Sequence, residues 1–211
     1  MKRVDVSLYV ILDRAIEEQS RLGKFTRDVI AGGATCLQIR CKGESTRDIM
    51  GFARRVLDVA KPAAVPVVIN DRLDIALATG ADGVHLGEED MPVREARAIC
   101  GTDMIVGASV RTVERAREAV ASGADYVGVG PIFPSPAKPH LKPISLDILD
   151  AIRQEIRLPI VAIGGIDDMN AAVPMEHGAD GVAVISALRQ CLNPKEAAAR
   201  LRQAVDNARK R

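Results

Sequence analysis

The sequence predicts a single TIM (β/α)8 barrel with a parallel eight-stranded core, and three observations carry that prediction. Eight short apolar runs rich in β-branched residues alternate with eight stretches of helical period along the chain. The unusual polar residues cluster at the ends of those runs, and a parallel sheet gathers all its strand C-termini on one side. A short theme also recurs before the runs: Gly33-Ala34, Gly80-Ala81-Asp82, Gly123-Ala124-Asp125 and Gly178-Ala179-Asp180. A glycine there tolerates the left-handed conformation that ends a helix and turns the chain into the next strand. An open doubly wound sheet is the alternative solution of the same alternation.

The length of 211 residues suits one barrel, and no linker or composition shift divides it, so residues 1–211 are read as one domain. Hydrophobic residues make up 47% and aromatics only 2%, so an aliphatic core is expected. Lys+Arg 29 against Asp+Glu 28 leaves a formal charge of +1, which argues against nucleic acid or a membrane surface as partner. Small-molecule substrates are the expected partners. A homodimer is compatible with the sequence, which carries no marker of oligomeric state. Cys36, Cys41, Cys100 and Cys191 form no C-x-x-C pair and read as reduced thiols of a cytoplasmic protein. The segment from Met1 to Asp5 is expected to start neither a secretory signal nor a membrane span.

The elements follow in order. The first strand is expected near 5–12 and a helix near 25–32. The second strand, near 35–40, opens the run Leu37-Gln38-Ile39-Arg40-Cys41-Lys42. Gln38, Arg40 and Lys42 alternate there, so their side chains share one direction, toward the barrel interior or mouth. A buried Arg and Lys need anionic partners: a salt bridge to Asp71 would serve, and so would a polyphosphate ligand. After a helix near 45–60, the third strand, near 66–70, runs into Asn70-Asp71 ahead of a helix near 71–79. The fourth, near 82–86, leads through Gly87 to Asp90 and a helix near 92–100. Two carboxylates meeting at neighbouring strand ends suit a hard divalent cation such as Mg²⁺. Helix N-capping is the alternative for each, with Pro92 placed for a first helical turn after Asp90. His85, inside the fourth strand, reads as a satisfied core histidine.

The fifth strand, near 103–107, ends at Ser109, a candidate hydroxyl donor to phosphate, and a helix near 111–121 follows. The sixth, near 125–129, opens onto Ser135 and Lys138. These lie in the longest stretch without an evident element, Gly130 to Pro143, which holds five prolines. Loops of that length are usually functional or mobile. His140 in this stretch and His177 read as solvated. A helix near 145–155 precedes the seventh strand, near 159–163, which delivers Gly164-Gly165. Beyond a helix near 168–176, the eighth strand, near 181–184, delivers Ile185-Ser186 at a helix start, and a last helix runs near 194–208. Backbone amides at Gly165 and Ser186 can hold a phosphate, the glycine allowing close approach and the helix dipole favouring the anion. The sequence shows no Ser-His-Asp order, Walker loop, G-x-G-x-x-G or metal-ligand His pair.

Taken together and in order, Gln38-x-Arg40-x-Lys42, Asn70-Asp71, His85-Leu86-Gly87-x-x-Asp90, Gly107-x-Ser109, Gly128-x-Gly130-Pro131-Ile132-Phe133-Pro134, Ile163-Gly164-Gly165-Ile166 and Ile185-Ser186 resemble the thiamine phosphate synthase family. The likeness covers roughly residues 8–205. It implies a transferase that joins hydroxymethylpyrimidine diphosphate to hydroxyethylthiazole phosphate, or its carboxylate, and releases pyrophosphate. By position it implies Mg²⁺ on Asp71 and Asp90. It further implies pyrimidine diphosphate on Gln38, Arg40, Lys42, Asn70, Ser109 and Lys138, and thiazole phosphate on Ser135, Gly165, Ile185 and Ser186. Arg40, Lys42 and Lys138 would be the catalytic charges. The reaction it implies is dissociative, so no nucleophile or strong base is required, only charge stabilisation and positioning.

Two departures stand out. Cys41 replaces a Glu common in the family, and Ala137 replaces a hydroxyl residue in the Ser135-Pro136-Ala137-Lys138 stretch. Two related readings stay open: a thiazole tautomerase of the same fold, which places a His where this chain has Pro131 and tends to lack both acids, and a non-catalytic phosphate-binding barrel. A sugar-phosphate isomerase would need a general base at a strand end, and none stands out.

Overall fold

A computed structural model describes residues 4–17, 22–134 and 141–210. Its strands are β1 (Leu8–Leu12), β2 (Cys36–Ile39), β3 (Val67–Asn70), β4 (Gly83–Leu86), β5 (Ile105–Val110), β6 (Tyr126–Val129), β7 (Ile160–Ile163) and β8 (Gly181–Val184). They close in sequence order, each parallel to the next and β8 parallel to β1, so the barrel is closed and the open sheet is excluded. The principal helices are α2 (Leu22–Ala31), α3 (Thr46–Ala60), α4 (Leu73–Thr79), α5 (Val93–Cys100), α6 (Val113–Ala121), α7 (Leu146–Glu155), α8 (Ala172–Glu176) and α10 (Pro194–Ala208). Two one-turn helices, α1 (Arg14–Glu17) and α9 (Ser186–Arg189), sit directly after β1 and β8. No helix among the described residues is long and apolar enough to cross a membrane.

Alternation along each strand divides the core into two layers. Leu8, Val10 and Leu12 face outward and pack with helix residues such as Phe52, Val56 and Leu201. Tyr9, Ile11, Cys36, Val68, Ile105, Tyr126, Val161 and Ala183 face inward and fill the barrel. Both layers are mainly aliphatic, as expected, with Phe25 and Phe52 in the outer one and Tyr9 and Tyr126 in the inner one. Both tyrosines of the chain lie inside the barrel, each at most 1% exposed.

The recurring glycine theme has a second purpose that the helix-ending argument does not reach. Asp82, Asp125 and Asp180 each turn Oδ2 back to accept a backbone N–H at the start of the preceding strand: Val67 at 2.9 Å, Val106 at 2.9 Å and Ile160 at 2.8 Å. Where the theme reads Gly33-Ala34-Thr35, the Thr35 hydroxyl accepts Leu8 N–H at 3.1 Å. Each side chain thus satisfies a backbone donor at the floor of the barrel. Asp125 does more, because the Arg97 guanidinium sits 2.6 Å from the same oxygen and the aspartate is only 2% exposed. Asp125→Ala strands a buried N–H and removes one side of a buried ion pair, so it is expected to cost about 3 kcal/mol. A lowered urea midpoint with an unchanged slope is the readout.

Boundaries differ from expectation where side chains compete with the helix. The helix expected near 168–176 begins only at Ala172, because Asp167 Oδ1 accepts Met169 N–H at 2.9 Å and Asn170 Oδ1 accepts Asp167 N–H at 3.0 Å. β5 extends to Val110, which places Ser109 inside the strand and not past its end.

Candidate active site

The described candidates gather at one end of the barrel, where the strand C-termini open. Gln38 points into it from β2 and is 4% exposed. Arg40 follows β2 by one residue and is half-buried, its N–H bonded to Leu12 O at 2.9 Å. Lys42 corrects the expectation of a buried lysine: its side chain is 58% exposed and lies 3.4 Å from Asp71. The chain has left the strand by Ile39, so inward alternation no longer buries it. Asn70 ends β3 level with His85.

Inside the mouth a chain of hydrogen bonds links two of the candidates. Gln38 Nε2 donates to the Tyr9 hydroxyl at 2.9 Å, the Tyr9 and Tyr126 hydroxyls are 2.8 Å apart, Tyr126 meets His85 Nδ1 at 2.9 Å, and His85 Nε2 meets Ser109 Oγ at 3.0 Å. Burial drives both phenols well above the ordinary tyrosine pKa, so each keeps its proton. The order giving every buried donor a nitrogen or oxygen acceptor then runs from Gln38 through Tyr9 and Tyr126 to His85 Nδ1. The imidazole proton sits on Nε2 and is donated to Ser109. Ser109 is left to donate its own proton outward, and Gln38 keeps its carbonyl oxygen as an acceptor. Space for this chain comes from glycines: a Cβ at Gly107 would meet the Tyr126 ring at 2.2 Å, and one at Gly128 would meet His85 at 3.1 Å. His85 is the satisfied core histidine expected from sequence.

Asp71 and Asp90 meet beside this chain. Neither caps a helix: α4 is preceded by Arg72 and α5 by Pro92 at the cap positions. Asp71 adopts φ +64, a left-handed conformation uncommon for a non-glycine residue and worth a penalty of order 1 kcal/mol. Its N–H bonds to His85 O at 2.8 Å, which fixes the carboxylate over the mouth. Asp90 is oriented by Gly87 N–H, 2.7 Å from its Oδ2. Burial, then the hydrogen bond and charge of Asp90, push the Asp71 pKa up to about 6, against the pull of Lys42. Two carboxylates held together this way favour a cation between them.

Across the mouth, Gly164 and Gly165 adopt φ +104 and +62. A Cβ at Gly164 would lie 2.4 Å from Pro131, and one at Gly165 would lie 2.5 Å from Pro134 O. Glycine is required here by backbone and by space, and Phe133 N–H closes the turn on Gly164 O at 3.0 Å. Ile185 precedes Ser186, the first residue of α9, with no side-chain cap on that helix. Ser135 and Lys138, with Ala137 and His140, lie outside the described residues. His177 is not simply solvated: its Nδ1 is 2.9 Å from Asp150 Oδ2, remote from the mouth.

Sequence reasoning missed Tyr9 and Tyr126 as parts of the site. The signal was present, since a chain with only two tyrosines places both in strands at inward positions. It also missed Asp13, just past β1, whose Oδ2 is paired with Arg189.

The sequence model of a family described as thiamine monophosphate synthase matches residues 8–188. Thiamine-phosphate synthase of Chloroflexus aurantiacus is 46% identical over 203 residues, covering 96% of this chain and 94% of the relative. That of Syntrophomonas wolfei is 42% identical and covers 96% of this chain and 98% of its own. The solved thiamine phosphate pyrophosphorylase from Pyrococcus furiosus superposes with a TM-score of 0.87 at 38% identity, covering 97% of each chain.

Proposed function

This chain belongs to the thiamine monophosphate synthase family, and on that premise we propose how its barrel mouth carries out the family's reaction. It is a transferase of thiamine biosynthesis that joins hydroxymethylpyrimidine diphosphate to hydroxyethylthiazole phosphate, giving thiamine phosphate and pyrophosphate. The observation that carries the assignment of roles is the meeting of Asp71 and Asp90 beside Lys42.

The aminopyrimidine ring presents an amino N–H beside a ring nitrogen acceptor. Ser109, ordered by His85 to donate, suits the nitrogen, and the Gln38 carbonyl suits the amino group. Asn70 lies within reach of the same substrate. Breaking the bond to the diphosphate leaves a stabilised pyrimidine methyl cation and places the departing charge on pyrophosphate. Arg40, Lys42 and Lys138 neutralise that charge. The Lys42 pair with Asp71 is exposed and long, worth no more than about 1 kcal/mol, so Lys42 turns to the diphosphate at little cost. Gly165, Ile185 and Ser186, with Ser135, hold the thiazole phosphate so that the ring nitrogen faces the cation. Capture of the cation by the thiazole nitrogen releases no proton, so it needs no base. Pro131 also leaves a tautomerase without its imidazole.

Asp71 and Asp90 fit Mg²⁺. Among the described residues no three metal-ligating side chains come together, so the protein offers two carboxylates. Mg²⁺ characteristically takes one or two carboxylates and completes its shell with substrate phosphate and water. When bound it supplies Lewis-acid neutralisation of the leaving pyrophosphate. Calorimetric titration with the pyrimidine diphosphate tests the assignment: tight binding is expected only with Mg²⁺, and equal binding by Asp90→Asn would overturn it. Cys36, Cys41, Cys100 and Cys191 form no disulfide among the described residues, which fits the proposed cytoplasmic location.

The hydrogen-bond chain makes its own prediction. Tyr126→Phe leaves His85 Nδ1 without its donor and frees the imidazole to turn its proton away from Ser109. The KM for the pyrimidine diphosphate is expected to rise about tenfold, one lost hydrogen bond to a buried group, with the KM for thiazole phosphate unchanged. Steady-state kinetics with each substrate varied in turn checks it.

A further inference from the structure

A carboxylate stands where anionic substrates are to bind, and none of the roles above uses it. Asp13 is the first residue past β1 and, by the pairing of Leu12 with Ile39, stands level with Arg40 on the neighbouring strand. Its Oδ2 accepts a hydrogen bond from Arg189 Nη1 at 2.7 Å, joining positions 176 residues apart. The side chains are 20% and 31% exposed, so this pair is shielded better than the ordinary surface ion pairs of the molecule. Asp13 Oδ1 is buried with no hydrogen-bond partner among the described residues.

Arg189 is the last residue of α9, a helix of four residues that opens at Ser186. One helical turn has no stability of its own, because nucleation fixes several residues for a single hydrogen bond. Buried Leu188 holds it from the apolar side, and the Asp13 pair is the polar contact that sets its rotation against β1. An unpaired carboxylate at this place would repel both substrates. Paired, it is neutralised, and it also prevents the Arg189 guanidinium from taking a phosphate at random.

We propose that Asp13 is a positioning residue for thiazole phosphate, acting through Arg189 to orient the α9 turn that carries Ser186. The inference rests on the assignment of Gly165 and Ser186 to the thiazole phosphate. It predicts an effect confined to one substrate, which a general loss of stability does not produce.

The test is a kinetic split. Asp13→Asn, nearly isosteric, is expected to raise the KM for thiazole phosphate about tenfold, the effect of one lost charge-assisted hydrogen bond, with kcat and the KM for the pyrimidine diphosphate within about twofold. Asp13→Glu, which keeps the charge, restores most of the affinity. Arg189→Gln raises the thiazole phosphate KM as Asp13→Asn does and, by stranding the Asp13 carboxylate, also weakens binding of both substrates; the double variant, which removes that charge, returns to the Asp13→Asn level. An unchanged KM in folded Asp13→Asn, or equal losses toward both substrates in that variant, overturns the proposal. So does a much larger loss in Arg189→Gln that adds to that of Asp13→Asn, since the guanidinium then acts without Asp13. Ser186→Asp separates this failure from failure of the underlying assignment: a charge placed at the phosphate must raise the thiazole phosphate KM steeply. If it does not, the phosphate lies elsewhere and both readings fall.

Discussion

Asp71→Asn is expected to reduce Mg²⁺-dependent turnover by at least about 10²-fold while making the substrate-free protein more stable near neutral pH. The two effects share one cause. Asp71 and Asp90 are held together by the backbone, one through His85 O and the other through Gly87 N–H, and burial with the neighbouring carboxylate raises the Asp71 pKa to about 6. An unfolded aspartate titrates near about 3.9, so the folded state binds its proton more tightly than the unfolded state does. The stability linked to that proton is fully present below about pH 4, and it is lost as pH rises through about 6. Allowing for screening at a partly exposed site, the charged pair destabilises the free enzyme by roughly 1 kcal/mol. Asn removes that repulsion at the same size. Thermal scans with and without Mg²⁺ check both halves: the ion should raise the Tm of the wild type and leave that of Asp71→Asn unmoved. A variant less stable than wild type near pH 8 would show that the two carboxylates do not oppose each other.

Gly107→Ala is expected to destabilise the fold by about 3 kcal/mol or more, the upper range for overpacking, and to lower Tm by about 10 °C. The added methyl would stand 2.2 Å from the Tyr126 ring, which is fully buried, packed 5.8 Å from Tyr9 and hydrogen-bonded on both sides. The ring has no room to retreat, so the strand must move. Because His85 and Ser109 hang on Tyr126, residual folded enzyme should also bind the pyrimidine diphosphate more weakly. Gly51, where a Cβ would meet nothing within 4 Å, is the control. Gly51→Ala lies within α3 and should be neutral or slightly stabilising. Equal stability of the two variants would mean that the aromatic chain does not fill the barrel as described.

The barrel was legible from the sequence because its signals are local. Apolar runs such as Ile160–Ile163 and helix ends marked by Gly80 or Gly178 need only a few consecutive residues to be read. Positions past the strand ends were legible for the same reason, since the order of Asp71, Asp90, Gly164 and Ser186 follows the order of strands. What stayed hidden depends on contacts between distant strands. The link from Gln38 to Ser109 passes through β1, β6 and β4, and no spacing within one strand announces it. The pairing of Asp13 with Arg189 closes the ends of the chain on each other. Strand alternation would bury Lys42, but β2 ends at Ile39 and the chain turns away, so the side chain is exposed. The Gly-Ala-Asp theme marks a turn in the sequence, but the bond from each aspartate to the preceding strand spans some 15 to 20 residues and leaves no local signal.

Mg²⁺-assisted synthesis at Asp71 is tested by following pyrophosphate release and thiamine phosphate formation together, with both substrates, in the presence and absence of Mg²⁺. The two products are expected in equal amounts, only with Mg²⁺, and both are expected to be lost in Asp71→Asn. Folded protein that binds thiazole phosphate yet forms no thiamine phosphate, or turnover indifferent to Mg²⁺ and to Asp71, would contradict it.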